Sequence, residues 1–107
     1  MILSTQETFE EDTKAPLVLV DFFADWCGPC RMLTPVLERA EEHYGDNLRI
    51  VKVNVDTAPE LLQRFNVRGL PTLVLLRDGK TDSVKVGALV FNQLTAWLDA
   101  HVPAKTQ

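Results

Sequence analysis

Cys27 and Cys30 are the two residues whose type and spacing most directly imply chemistry. They flank Gly28-Pro29 and follow an almost continuous apolar run at 17–23, which is typical of a buried strand. Residues three apart face the same side of a helix, so two thiols in a first helical turn lie within the distance that a disulfide bridges. The N-terminus of a helix also carries positive potential and free N–H groups, which favour a thiolate. The motif therefore predicts a redox-active dithiol.

The order of the two cysteines predicts different roles for them. Cys27 leads the helical turn, so we expect it to be reachable and to feel the field of the helix most strongly. Its thiolate would attack a substrate disulfide and form a mixed disulfide. Cys30 lies one turn further in and is expected to be more buried. It would attack Cys27, release the reduced substrate and leave an internal disulfide.

Three less reactive interpretations compete with this one. A zinc site needs about four ligands, whereas the chain has two cysteines, and its histidines, His43 and His101, fall on different predicted helices. A purely structural disulfide across so short a loop would contribute only ~2 kcal/mol. Two unreactive core cysteines would make the helix-opening Cys-Gly-Pro-Cys motif a coincidence. The pattern thus favours thiol–disulfide exchange and no metal.

Charge and hydropathy along the chain argue against several other function classes. The net charge is −4 at pH 7 and the basic residues are scattered, unlike those of a nucleic-acid-binding surface. No apolar run approaches the ~20 residues of a membrane span. Residues 1–12 are acidic and do not resemble a secretory signal, so we expect a cytoplasmic location. The 107 residues, 46% of them hydrophobic, fit one domain, 1–107, with a core of its own.

The remaining patterns describe the elements that must position the two cysteines. Apolar residues at helical spacing follow Cys30 as far as Gly45, and Pro35 is expected to kink this helix. A second strand is predicted at 48–55, parallel to the strand at 17–23.

The second half of the chain adds a short helix, a hairpin and a final helix. They are predicted at 60–65, at 72–77 and 81–86 around Asp78-Gly79, and from Leu94 through Trp97 and Leu98 to His101, closed by Pro103. The order strand, helix, strand, helix, hairpin, helix predicts an α/β fold. Its central mixed sheet is expected to carry helices on both faces.

With these segments in view, the chain resembles the thioredoxin family over nearly its whole length. The matching segments are DFFADWCGPC at 21–30, Lys52 followed by NVD at 54–56, RGLPT at 68–72 and KVGA at 85–88. The resemblance implies the thioredoxin fold and a monomeric disulfide reductase that acts on disulfide-containing proteins. It also implies that no cofactor is bound and that electrons come from NADPH through thioredoxin reductase.

The resemblance further implies a substrate-binding surface around the sulfurs. The bond between Leu70 and Pro71 would be cis, and the backbone of Leu70 would pair with an extended substrate strand. The implied contact residues are Trp26, Gly28, Pro29, Leu70, Pro71, Gly87 and Ala88. The sequence alone would favour an ordinary loop proline at Pro71.

Asp21 stands inside the buried apolar run, where a charge is costly. The resemblance implies that it lies beneath Cys30 and relays the proton of that thiol through water, and that Lys52 modulates it. A solvated lysine on an alternating strand is the competing interpretation of Lys52. Two departures from the family stand out: Phe23 replaces a tryptophan that many members carry, and the short N-terminal segment predicts a stunted first edge strand.

The two residues between the cysteines bear on the direction of electron flow. Oxidising relatives often carry a histidine there, which stabilises the thiolate and makes the protein a stronger oxidant. Gly28-Pro29 offers neither a charge nor a side-chain donor, so reduction of substrates is favoured. Two alternatives stay open at this point: an interaction module whose sulfurs are incidental, and an oxidase or isomerase of an export compartment.

Overall fold

A five-stranded mixed sheet organises the chain, and the computed structural model describes residues 1–102. The strands are β1 (Ile2–Ser4), β2 (Leu17–Phe23), β3 (Arg49–Asn54), β4 (Thr72–Arg77) and β5 (Lys80–Val86). The helices are α1 (Phe9–Asp12), α2 (Gly28–Tyr44), α3 (Pro59–Arg64) and α4 (Phe91–Leu98). The strand order is β1-β3-β2-β4-β5, with β1, β3 and β2 parallel and β4 and β5 antiparallel to their neighbours.

Strand β2 lies in the middle of the sheet and carries buried apolar side chains on both faces. Val18, Val20 and Phe22 pack in the core on the side of α1 and α3, whereas Leu17 and Leu19 pack in the core beneath α2 and α4. Successive residues of a strand point to opposite faces, so one run supplies both cores. The predicted mixed sheet with helices on both faces is confirmed.

Helix α2 carries the cysteine motif at its N-terminus and a core-facing apolar stripe along its length. The stripe consists of Leu33, Leu37, Ala40 and Tyr44, which are buried against the sheet together with residues of α4. Pro35 lies inside the helix, and Gly45 ends it with a φ of 56°, a conformation that glycine adopts without strain. The packed stripe fixes where the first turn of α2 stands over the sheet.

Several element boundaries differ from the predicted ones. Helix α1 was not predicted, since four residues carry no readable periodicity. Strand β3 ends at Asn54, where the Asn54 side chain accepts the Asp56 N–H and starts a 3-10 turn over 55–57. The prediction that α4 includes His101 is wrong: the helix ends at Leu98, and His101 lies in the turn beyond it. Pro103, expected to close the helix, lies outside the described residues.

Candidate active site

Cys27 and Cys30 form a disulfide across the first turn of α2, with their Cα atoms 5.3 Å apart. Cys27 is the residue just before the helix and has an extended backbone, with φ −90° and ψ 109°. Its Sγ accepts a hydrogen bond from the Cys30 N–H at 3.2 Å. The sulfur thus occupies the place that a serine or aspartate oxygen takes when it caps a helix. Gly28 and Pro29 complete the turn.

The two cysteines differ in hydrogen bonding rather than in exposure. Cys27 is 5% exposed and Cys30 is 4% exposed, so the expected contrast between a reachable and a buried thiol is nearly absent in the disulfide form. Both cysteines belong to the buried core on the side of α1 and α3, which the position of each residue in the helix could not show. The asymmetry instead lies at Cys27 Sγ, which receives a backbone N–H at the positive end of the helix.

Asp21 lies in the middle of β2 and is fully buried. Its neighbours across the sheet are Lys52 on β3 and Leu73 on β4. Neither carboxylate oxygen has a hydrogen-bond partner among residues 1–102. Burial raises the pKa of Asp21 from 3.8 to about 6, and the Lys52 cation opposes the rise. This is the direction expected for a charge placed inside the apolar run.

Lys52 is half-buried and lines a cavity of about 220 Å³. Its Nζ donates to Thr34 Oγ1 at 3.4 Å and lies 4.8 Å from the centre of the Phe23 ring. The cavity is lined by Phe23, Ala24, Asp25, Cys30, Arg31, Thr34 and Lys52. Cys30 and Lys52 therefore face the same cavity. Asp21 is paired with Lys52 across β2 and β3 but is not among the residues that line this cavity.

The segment 69–72 stands at the start of β4 and is held by two hydrogen bonds. The Leu70–Pro71 peptide bond is cis. The carbonyl oxygen of Pro71 accepts the Gly87 N–H at 2.8 Å, and Thr72 Oγ1 donates to the Gly69 carbonyl at 2.5 Å. The structure therefore joins Pro71 to Gly87, two of the residues expected to contact substrate.

The remaining expected contact residues are accessible to different degrees. Trp26 is 69% exposed, and its Nε1 donates to Asp56 Oδ2 at 3.0 Å. Pro29 and Ala88 are exposed, Gly28, Leu70 and Gly87 are half-buried, and Pro71 is buried. An exposed indole fixed by a carboxylate gives a rigid apolar surface next to Cys27.

Comparison with known proteins decides what this arrangement belongs to. The family model for thioredoxin matches residues 1–100. The chain belongs to the thioredoxin family. Similar thioredoxins include those of Acidithiobacillus ferridurans and Pseudomonas aeruginosa, each 45% identical over 100 residues. The thioredoxin of Listeria monocytogenes is 48% identical over 98 residues. These alignments cover 92% of this chain and 93% to 95% of the relatives.

Membership of the thioredoxin family, together with the paired cysteines, gives the reaction. The protein is a thiol–disulfide oxidoreductase that reduces protein disulfides by reversible dithiol/disulfide exchange through a mixed disulfide. The prediction of a redox-active pair is confirmed, and so is the thioredoxin fold.

Two contacts of this thioredoxin site were missed in the sequence. Asp56 lies inside the NVD segment, but its bond to Trp26 depends on β2 and β3 ending at the same edge of the sheet. Thr34 lies four residues after Cys30, which places both on one face of α2. That spacing is the signal in the sequence that places Thr34 beside Cys30.

Two further findings on residues 1–102 concern metal binding and membrane-spanning helices. Among residues 1–102, no three His, Cys, Asp or Glu side chains are grouped so that they could hold a metal ion. In the same residues, no helix has the length and apolarity needed to cross a membrane.

Proposed function

We propose that Cys27 is the attacking thiolate of the exchange and Cys30 the resolving one. The observation that carries this proposal is the Cys30 N–H that Cys27 Sγ accepts at the N-terminus of α2. A thiolate gains more than a thiol from that hydrogen bond and from the field of the helix. The fold therefore favours ionisation at Cys27, which makes it the better nucleophile.

The exchange then proceeds in two balanced steps. The Cys27 thiolate attacks one sulfur of the substrate disulfide: a bond forms between the two sulfurs, and the second substrate sulfur leaves as a thiolate. Cys30 then loses its proton and attacks Cys27 Sγ, which releases the first substrate sulfur. Two electrons pass to the substrate, and the enzyme is left with the Cys27–Cys30 disulfide that the structure contains.

Asp21 is proposed to accept the proton that Cys30 loses before it attacks. With a pKa of about 6, the carboxyl is mostly ionised near pH 7 and still basic enough to take a proton. Its oxygens have no hydrogen-bond partner among residues 1–102, so their lone pairs are available to a water that connects them to the thiol. Lys52 modulates this basicity because its cation favours the carboxylate.

Substrate recognition is assigned to the backbone of Leu70 and the apolar surface around it. The Gly87 N–H anchors the Pro71 carbonyl, which supports an extended segment at Leu70 that a substrate strand can pair with. Main-chain pairing makes few demands on the substrate's sequence. The contact surface is assigned to Trp26, Gly28, Pro29, Leu70, Pro71, Gly87 and Ala88.

The physiological direction is proposed to be reduction, in an electron transport chain that runs from NADPH through thioredoxin reductase to protein disulfides. The absence of a histidine between Cys27 and Cys30 supports this direction, as do the bacterial thioredoxins that the chain resembles. In this proposal the protein works as a cytoplasmic monomer without a bound cofactor.

A coupled assay tests the proposed electron route. The protein is mixed with NADPH, a bacterial thioredoxin reductase and a model protein disulfide, and the loss of NADPH absorbance is followed. We expect NADPH consumption that depends on the protein and that Cys27→Ser and Cys30→Ser each abolish. Activity that survives in either variant would argue for an incidental role of the sulfurs. Oxidation of reduced substrates without NADPH consumption would support an export oxidase or isomerase instead.

A further inference from the structure

Thr34 connects the helix that carries the cysteines to the strand that carries Lys52. Its Oγ1 donates to the Cys30 carbonyl at 3.4 Å and accepts from Lys52 Nζ at 3.4 Å. All three residues line the cavity of about 220 Å³ next to the disulfide. The Thr34 hydroxyl therefore links the ammonium group of Lys52 to the first turn of α2 by two hydrogen bonds.

The ammonium group of Lys52 is held by neutral partners. One is the Thr34 hydroxyl and the other is the face of the Phe23 ring, 4.8 Å from Nζ, which attracts a cation through its quadrupole. Neither oxygen of Asp21 takes part in a hydrogen bond within residues 1–102. Lys52 and Asp21 are paired across β3 and β2, so the cation acts on the carboxylate through space.

We propose that Thr34 is a positioning residue whose hydroxyl keeps the Lys52 ammonium inside the cavity and thereby sets the pH at which Asp21 exchanges a proton with Cys30. This inference rests on the proton transfer from the Cys30 thiol to the Asp21 carboxylate that is proposed above. The hydroxyl does not touch the reacting atoms. It fixes the distance over which the charge of Lys52 acts.

The other charged groups that line the cavity are exposed to solvent, so they cannot replace Lys52 in its effect on Asp21. Asp25 in the loop before α2 and Arg31 on α2 are both exposed, so solvent screens their charges. Arg31 Nη1 is also occupied, since it donates to the Asp25 carbonyl at 2.7 Å. From β4, the residue opposite Asp21 is the uncharged Leu73.

Loss of the Thr34 hydroxyl is expected to raise the titration midpoint of Asp21. Lysine has a long flexible stem and moves its charged end to water when no polar partner holds it. In Thr34→Val the ammonium would leave the cavity more often, and its attraction for the carboxylate would fall with distance. A displacement of a few ångströms at an effective dielectric constant of ~20 corresponds to a rise of about half a pH unit in the titration midpoint of Asp21.

The test is an NMR titration of the Asp21 carboxyl carbon in the disulfide form of the full chain. Thr34→Val keeps the shape of the side chain and removes the hydroxyl, whereas Thr34→Ser keeps the hydroxyl. We expect Thr34→Val to raise the midpoint, Thr34→Ser to restore the parent midpoint, and Lys52→Met to raise it further. Thr95→Val is the matched control, because Thr95 also donates to a carbonyl of its own helix but lies on α4.

A second readout separates positioning from a general structural effect. Single-turnover resolution of the mixed disulfide should show its pH midpoint displaced upward in Thr34→Val by the same amount as in the titration. A general loss of structure would slow the reaction at every pH without moving the midpoint.

The outcomes distinguish this inference from the proposed function. If Lys52→Met raises the midpoint while Thr34→Val leaves it unchanged or lowers it, the role of Thr34 is wrong and the relay through Asp21 stands. If Lys52→Met leaves the midpoint unchanged, the modulation by Lys52 fails and the inference fails with it.

Discussion

At the scale of single residues, the site contains one carboxylate that works against the stability of the fold. Asp21 is fully buried, and the pKa of its carboxyl is about 6 instead of 3.8. Because the folded state binds a proton more tightly than the unfolded state, the native protein loses stability as pH rises from about 4 to about 6. The penalty is complete above the folded pKa and amounts to roughly 3 kcal/mol.

Asp21→Ala is therefore expected to stabilise the disulfide form near and above neutral pH. The substitution removes the desolvation penalty and leaves a small cavity, so the net gain should be roughly 1–2 kcal/mol above pH 7. The gain should shrink as pH falls toward about 4, where the parent carboxyl is protonated and neutral. Denaturant unfolding of both proteins across pH measures this difference. The variant should also resolve mixed disulfides more slowly, since Cys30 loses its proton acceptor.

An exposed carboxylate provides the control for this measurement. Asp46 is exposed in the 3-10 turn after α2, and Asp46→Ala should show no gain in the free energy of unfolding above pH 7, because no buried charge is removed. An Asp21→Ala profile parallel to the parent profile at every pH would mean that Asp21 is not held in a raised-pKa environment. The proton relay would then lack its physical basis.

Site residues could be predicted from the sequence where the pattern that indicates them lies within one short segment. Cys27 and Cys30 were identified from spacing alone, and Asp21 stood out because it interrupts an apolar run. The neighbours of Lys52 were not readable, since its contacts with Thr34 and Phe23 join three separate elements. The near-equal burial of the two cysteines likewise depends on their packing in one core with residues from distant parts of the chain.

At the scale of elements, two glycines of the site are expected to respond oppositely to the same substitution. Gly87 has a φ of 101°, and its N–H anchors Pro71, whereas Gly28 opens α2. A methyl group would meet nothing within 4 Å at Gly87, so backbone strain alone decides the effect there. At Gly28 the nearest atom is Arg31 Nη2 at 4.0 Å, so the space is open as well.

Gly87→Ala should lower the free energy of unfolding by about 1–2 kcal/mol, because an L side chain is strained in that backbone conformation. It should also raise the KM for a protein disulfide by displacing the Pro71 anchor. Gly28→Ala should leave stability unchanged or raise it by up to about 1 kcal/mol, since alanine is the better helix former. Thermal unfolding and steady-state kinetics measure both effects. Equal losses of stability in the two variants would contradict the conformational explanation.

Elements with strong periodicity were predicted closely, and short ones were not. Strands β2 and β4 have the bounds expected from their apolar runs. Strand β3 is shorter than expected because the Asn54 side chain diverts the backbone into a turn. Helix α1 has four residues, so its only apolar anchor is Phe9, which packs against α3-side residues that no local pattern reveals.

At the scale of the whole molecule, the sheet divides the buried residues into two cores and places the site where β2 and β3 end. The strand that carries Asp21 is buried on both faces, so the carboxylate is enclosed by the same packing that holds the fold together. The loop after β2 leads directly into the cysteines, which makes the site a continuation of the most buried strand. Stability and reactivity are therefore coupled through β2.

The sequence could predict those features of the whole molecule that follow from the order of its elements. The order of elements and the two-faced apolar strand were enough to predict a mixed sheet with helices on both sides. The positions of Trp26 against Asp56, and of Pro71 against Gly87, depend on strand order in the finished sheet. Such contacts between distant segments became visible only with the structure.

The central claim, that Cys27 attacks and Cys30 resolves, is tested most directly by trapping. The Cys30→Ser and Cys27→Ser variants are each reduced, incubated with a model protein disulfide and examined by mass spectrometry without reductant. We expect Cys30→Ser to accumulate a stable mixed disulfide through Cys27, because no second thiol is present to release it. Cys27→Ser should accumulate little or none. Efficient capture by Cys27→Ser, together with none by Cys30→Ser, would contradict the assignment.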